Sequence, residues 1–468
     1  MAVIFIVPFL WVLYAVFTTA RAFMTKVPGP WYTNATSLVL KYHEFSGSRR
    51  AWIHGLHQRY GPVVRLAPNE CSFANFEGMK EIYQSGGSGY DKTEFYDLFK
   101  QFDYRTMFST LKKQDHAQRK RLFADRYAMT NIVRPEIIQG IQARAESVLS
   151  KCKESMGGYL DVYITLHCYA LDCASHFLFS PMGTDTLNNP DDMVLIQELT
   201  YNNNLKQRWF EYYAPTLSAL MFNLRGRNAA VSKNYVLKQS QQTIPSEATL
   251  ISRLQSRSDT LQNIQMAAEC MDHMSAGIDT TGDGLCFLMH ELSLPRSQHV
   301  QQRLREEFTQ NRTARLDMLP YLDAVIKEGL RLFPPIPMSL PRCVPAGGRF
   351  ISGYNIPGGS VVSCQAFSMH RLDESLFPDP EKYNPERWIE EKGLVERNRM
   401  FFSFAAGGRG CIGRHLATIE MKILLKEIYS KFTTSVALEM KGDMSIDDQI
   451  IASRPKDQTC LLTFTPYS

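Results

Sequence analysis

The hydrophobic pattern divides the chain into three textures. From Met1 to Ala20 no residue is charged, and Val3, Ile4, Phe5, Ile6, Val7, Phe9, Leu10, Trp11, Val12 and Leu13 make the segment apolar on every side. About 20 helical residues rising ~1.5 Å each match the roughly 30 Å hydrocarbon core of a bilayer. The pattern predicts one N-terminal transmembrane helix over 1–23. Arg21 and Lys26 follow it, and a basic flank on that side predicts that the rest of the chain faces the cytoplasm. A cleaved secretory signal is the alternative, but it would place basic residues ahead of the apolar run, where there are none. Val27-Pro28-Gly29-Pro30 then stops any helix, which predicts a Pro/Gly hinge over 24–30 and a catalytic domain over 31–468.

Beyond the hinge, the alternating run between Gly61-Pro62 and Pro68-Asn69 predicts a strand followed by a turn. From about 115 to 300 apolar residues recur every three or four positions with few prolines, the signature of helices packed on a core. Ile264, Ala267, Ala268, Met271, Met274 and Ser275 form one such stripe, running into Ala276-Gly277. From about 334 the texture changes to prolines and glycines separated by short β-type runs such as Ser360-Val361-Val362-Ser363. A helical body followed by a smaller strand-rich part predicts an α+β fold, mainly α-helical. No internal repeat and no independent linker interrupts it.

Charge adds little to this picture. A net charge of +5 suits an anionic membrane surface or an acidic protein partner. No Lys/Arg run interleaved with aromatics suggests nucleic acid. The 10 cysteines contain no C-x-x-C pair and no Cys/His cluster with zinc spacing. Scattered in this way they read as small buried hydrophobes in a reducing compartment. Cys411 stands apart.

It lies in Phe404-Ala405-Ala406-Gly407-Gly408-Arg409-Gly410-Cys411-Ile412-Gly413, with a helix expected from Arg414 onward. Glycines around one Cys let a backbone approach a flat cofactor and leave amides to face the sulfur. A thiolate near amides and a helix start is stabilised as an anion, the form that ligates iron. The bland reading is a glycine-rich turn with an incidental cysteine. Glu328 and Arg331 share a helix face at i and i+3. Such a pair usually marks a solvated surface, yet Arg387 in Asn384-Pro385-Glu386-Arg387-Trp388 could complete a Glu–Arg–Arg network. In Ala276-Gly277-Ile278-Asp279-Thr280-Thr281 a glycine inside a helix costs roughly 1 kcal/mol relative to Ala. Room for a small ligand is one reason for it, with Asp279 and Thr280 delivering protons to a buried oxygen species. A helix kink with Thr back-bonding is the other.

These segments, in this order, resemble the cytochrome P450 family from the anchor to the C-terminus. Residues 404–413 are similar to its F-x-x-G-x-R-x-C-x-G haem loop at every fixed position, 276–281 to its oxygen-activation motif, and 328–331 to its E-x-x-R. Residues 384–388 are similar to its P-E-R-W meander. The run from Leu340-Pro341-Arg342 to Gly348 resembles fungal members that tailor secondary metabolites. The resemblance implies haem b as cofactor with Cys411 as its axial metal ligand, Phe404 and Gly277 beside it, and Thr280 with Asp279 as the catalytic pair. It implies Glu328, Arg331 and Arg387 as a structural triad, and Arg409 and Arg342 as haem-propionate partners. The family's W-x-x-x-R is replaced by His116-Ala117-Gln118-Arg119-Lys120, where His116 and Lys120 can still donate to carboxylates.

The implied activity is monooxygenation, most simply hydroxylation, of a hydrophobic small molecule. The chain has no dinucleotide fingerprint, so electrons should come from an NADPH-dependent reductase, with cytochrome b5 as an optional second donor. The implied location is the endoplasmic reticulum membrane, single-pass, with the catalytic domain in the cytosol. By family position the substrate walls are Phe99–Phe108, the segment near 200–222 and Ile336-Pro337-Met338-Ser339. The alternatives are a haem-thiolate isomerase or dehydratase that needs no O2, and a non-catalytic haem-binding protein. Asp279 and Thr280 have little use in either.

Overall fold

The longest helix in the structure is Asn263–Ser293, which continues unbroken through 276–281. The structure is a computed structural model and describes residues 15–201, 205–222 and 230–467. Gln262 and Gln265 cap that helix reciprocally at its start, each side chain bonding the other's backbone N–H. Its second half, 281–289, is buried all round because it runs through the body of the fold rather than along its surface. Against it lies helix Val162–Phe179, buried along almost its whole length.

Glycine is what lets these two helices approach. A Cβ on Gly277 would stand 3.1 Å from the Cβ of Ala174. The glycine therefore has a packing reason as well as a place beside the cavity described below. Helices Pro135–Glu154 and Arg414–Tyr429 complete the body, and Phe177, Ile278, Leu285 and Leu424 are part of its continuous core.

A second core, containing Phe73, Ile82, Val362, Phe377 and Trp388, underlies the strand-rich part. The expected strand is Val63–Ala67, and beyond its turn the chain forms a second, Glu70–Phe73, antiparallel to it. Glu70–Phe73 then pairs in parallel with Val361–Ser363, which pairs with Arg342–Cys343, which pairs with Asp91–Lys92. Strands nearly 300 residues apart thus share one sheet, and this brings Lys92 directly opposite Arg342.

Most of the expected anchor, 1–14, lies outside the described residues. Residues 15–24 are helical, with Val16, Phe17 and Phe23 exposed. Among the described residues no helix is long and apolar enough to cross a membrane. The Pro/Gly segment that follows is laid on the first strand. Arg65 N donates to Pro28 O at 2.8 Å. The Arg65 guanidinium donates to Ala22 O at 3.1 Å and to Thr25 Oγ1.

Candidate active site

One cavity of about 1350 Å³ opens beside the long helix. Pockets for a single drug-sized ligand run to roughly 300–1,000 Å³, so this one has room for a prosthetic group and a second molecule. Its lining includes Phe404, Arg409 and Cys411 from the glycine loop, and Gly277, Asp279 and Thr280 from the helix.

The loop is shaped by what lies behind it. Gly407 has φ +70°, and a Cβ there would lie 2.0 Å from Tyr83 O, so no side chain fits. Gly410 N donates to Gly407 O and Cys411 N to Phe404 O, both at 2.9 Å. The turn ends at Gly413, where helix Arg414–Tyr429 begins. The Cys411 sulfur opens on the cavity. Burial pushes its thiol up, while the Gly413 amide, the Lys120 and Arg414 charges and the Arg414 amide act the other way. The sulfur is pre-set to accept positive charge, and metal coordination would displace its proton.

The loop is held from below by Glu328, wholly buried with Arg331. Glu328 accepts from Arg331 Nε and Nη2 at 2.8 and 2.9 Å, from Arg387 Nε at 3.1 Å and from Asn384 N at 3.0 Å. This is no solvated pair. Trp388 Nε1 also donates to Glu328, at 2.9 Å, a partner to which the sequence reading gave no role. Arg331 Nη1 continues to His370 O at 3.2 Å, and His370 Nε2 accepts from Phe402 N at 2.8 Å, two residues before the loop.

One side of the cavity is a cluster of bases. Arg342 Nη1 donates to the Tyr96 hydroxyl at 2.7 Å, and Arg409 Nη1 to Leu111 O at 3.0 Å. The Nε of each is buried without a partner. Beside them is Lys92, which the sequence reading missed. It is buried, its ammonium 4.4 Å from the ring centres of both Tyr96 and Phe108, and among the described residues no carboxylate lies within ion-pair distance. Burial, then the Arg342 and Arg409 charges, push its pKa well below the usual lysine range. Like charges directly opposite on paired strands repel, so Lys92 against Arg342 calls for an anion between them. No local signal marks Lys92, because only the strand pairing brings it to Arg342.

His116 is buried nearby and lowered to about 3, by burial first and then by Lys92, Arg409, Lys120 and Arg342. It is neutral near pH 7 and offers one N–H. Lys120 Nζ donates to Gly408 O at 2.9 Å, tying its helix to the loop. Arg119 turns instead to Glu269 on the long helix. Arg409 Nη2 pairs with Asp91 at 3.3 Å, but Lys92 and Arg342 have no carboxylate partner among the described residues. Unpaired buried cations are costly, and the two carboxylates of haem supply the charge this cluster lacks. With the Cys411 sulfur, the residues fit that cofactor.

Lys92→Met should therefore release haem roughly 10- to 100-fold faster, the loss of a charged hydrogen bond of about 1.5–3 kcal/mol. The haem-free chain should be no less stable than wild type, since an unpaired buried charge is gone. Haem transfer to an apo-globin acceptor measures the first, and thermal unfolding of the haem-free chains the second.

Across the cavity, the Thr280 hydroxyl donates to Ala276 O at 2.7 Å. Thr280 back-bonds within its helix and lines the cavity as well, so both features considered from sequence are present. Asp279 Oδ1 accepts from Thr200 Oγ1 at 3.1 Å. Burial, then the neighbouring Asp283, push the Asp279 carboxyl up to about 6, against the opposing charge of His167. It is a carboxylic acid below that pH and a carboxylate above it. Phe99, Phe102, Phe108, Leu205, Phe210 and Ile336 supply apolar wall from the three expected segments.

Comparison with known proteins agrees with this geometry. The model of a family described as Cytochrome P450 matches residues 27–461. The chain is 27% identical to cytochrome P450 monooxygenase orf2 of Aspergillus niger, over 96% of this chain and 94% of that one. It is 28% identical to cytochrome P450 monooxygenase tazI of Aspergillus terreus, over 96% and 95%. It is 27% identical to cytochrome P450 monooxygenase stcB of Emericella nidulans, over 94% and 89%.

Proposed function

Because this chain belongs to the cytochrome P450 family, we propose that it oxidises, most simply hydroxylates, a hydrophobic small molecule in fungal secondary metabolism. It is a monooxygenase, and its cofactor is haem held by a cysteine thiolate. Cys411 is that cysteine. The observation that carries the reading is one cavity bearing the Cys411 sulfur, a cluster of bases of which only Arg409 has a carboxylate partner among the described residues, and the Asp279–Thr280 pair. Haem bound there supplies reductive activation of O2, with the electron-donating thiolate favouring O–O cleavage.

The chain's own residues do the rest. Lys92, Arg342 and Arg409 would hold the haem propionates. The apolar wall excludes water and selects a hydrophobic substrate. Asp279 exchanges protons with the interior, and the Thr280 hydroxyl, on releasing Ala276 O, presents one at the cavity surface. A redox-neutral rearrangement of a peroxide would need neither group. Electrons come from a separate NADPH-dependent reductase, with cytochrome b5 as an optional second donor. The test is a screen of hydrophobic compounds with reductase and NADPH, reading product mass. The expected product is heavier by one oxygen atom and forms only with NADPH. A rearranged product of unchanged mass, formed from a hydroperoxide substrate without NADPH, would overturn the reading.

Residues 1–23 form the anchor in the endoplasmic reticulum membrane, with the catalytic domain 31–468 in the cytosol. The exposed Val16, Phe17 and Phe23 on helix 15–24 continue the apolar character of the segment before them. In a eukaryotic host, Asn34-Ala35-Thr36 and Asn311-Arg312-Thr313 should stay free of sugar, although both are acceptor sequences. A glycosidase-sensitive gel shift at either would place the domain in the lumen.

A further inference from the structure

The long helix carries a second acid one turn beyond Asp279, and the chain builds a specific niche for it. Asp283 is buried, and its Oδ1 lies 3.4 Å from Nε2 of His167 on helix Val162–Phe179. His167 Nδ1 stands 2.7 Å from Tyr163 O. That nitrogen therefore carries a hydrogen, and Nε2 is left facing the acid. Neither Asp283 Oδ1 nor His167 Nε2 has another partner among the described residues. Gly282 makes the room, since a Cβ there would come within 2.9 Å of the imidazole.

Buried ion pairs are poor devices for stability, and well-packed apolar residues in their place are often neutral or better. These two helices already pack closely, with Ala174 against Gly277. A glycine, a histidine and a second acid at one point between them therefore need a reason beyond adhesion. The niche abuts the catalytic pair: Asp279 and Thr280 line the cavity, and Asp283 sits one turn behind them.

We propose that His167 and Asp283 are positioning residues for the acid–hydroxyl pair, holding a proton behind Asp279 and so setting its protonation as protons are delivered to the cavity. The proposal rests on the monooxygenase reading above. Besides each other, the groups facing this set are Asp279, Thr200, Cys286 on the long helix, the Tyr163 ring 4.3 Å from the imidazole centre to centre, and Arg454, the last on strand Ser453–Pro455 and itself 3.4 Å from Asp447. Burial pushes Asp283 up while His167 draws it down, and both acids draw His167 up against its own burial. One base thus serves two acids. When Asp279 gives a proton to the cavity, a second carboxylate is left beside Asp283 in a dry interior, compensated first by the imidazolium and then by the Arg454 charge. Asp279 must then take a proton back, and its neighbours fix how readily it does so.

The test uses the haem-loaded full chain with reductase and NADPH and without substrate, recording NADPH consumed and hydrogen peroxide released from pH 5 to 8. Electrons that do not leave as peroxide leave as water, so the peroxide share reports proton delivery. In wild type that share should rise with pH as Asp279 loses its proton. Asp283→Asn removes the charge that pushes Asp279 up. The midpoint should fall by about one pH unit, roughly a ten-fold smaller acid fraction above it.

His167→Gln should move the midpoint the other way, since the imidazolium draws Asp279 down, and the double variant should depart from the sum of the two opposite shifts, because the pair acts as one unit. The carbon monoxide spectrum should be native in all three. If Asp283→Asn fails to load haem, His167→Gln carries the test alone. Wild-type midpoints with only altered thermal stability would overturn the proposal, as would single effects that add in the double variant. Failure of the monooxygenase reading itself looks different: wild type would then consume no NADPH.

Discussion

Replacing Cys411 with Ala should abolish the thiolate-type band of the reduced carbon monoxide complex, and with it all monooxygenase turnover. The backbone of the loop does not depend on the sulfur. It is set by Gly407 against Tyr83 O, by Cys411 N donating to Phe404 O, and by the Glu328 network beneath. Cys411→Ala should therefore fold, and the bases around Arg342 should retain some haem. The diagnostic outcome is haem present with the band absent. Cys343 is only half-buried, so Cys343→Ser should leave the band intact and serves as the control. An unchanged band in Cys411→Ala would remove the assignment. The raised thiol pKa adds a pH signature. The free thiol is protonated near neutral pH and iron binds the thiolate, so loading releases a proton and weakens as pH falls.

The features legible in the sequence share one property: each is written in neighbouring residues. The Cys411 loop, the Glu328–Arg331 spacing and the Asp279–Thr280 pair can be read from short windows, and the structure places each beside the cavity or its supporting network. The features it hid depend on pairings between distant segments. Lys92 becomes a candidate only because Asp91–Lys92 pairs with Arg342–Cys343. His167 reads as one more residue of a buried helix until Gly282 admits it to Asp283. Gly277 was legible as unusual, but its neighbour Ala174 lies on another helix. The W-x-x-x-R replacement was half legible: Lys120 reaches the loop at Gly408, while Arg119 is claimed by Glu269.

Thr280→Ala separates two roles that the structure superimposes on one hydroxyl. The Oγ1–Ala276 O bond of 2.7 Å is the back-bond of an ordinary helical threonine, yet Thr280 also lines the cavity one residue from an acid poised near pH 6. If the hydroxyl delivers protons, its loss leaves haem binding and the first reduction untouched. Oxygen then leaves partly reduced, so the variant should keep a native carbon monoxide spectrum and go on consuming NADPH. Hydrogen peroxide should rise and product per NADPH should fall. General acid–base contributions of about 10²–10⁴ bound the loss, with a water in place of the hydroxyl pulling it toward or below the lower figure. Thr280→Ser keeps the hydroxyl and should keep most of the coupling. If back-bonding is the whole role, Ala is the better helix former by a few tenths of a kcal/mol. The variant would then be slightly more stable with coupling unchanged. Product and peroxide measured together with the unfolding midpoint decide the matter. Lost coupling at unchanged stability assigns Thr280 to proton delivery, and gained stability at unchanged coupling assigns it to the helix alone.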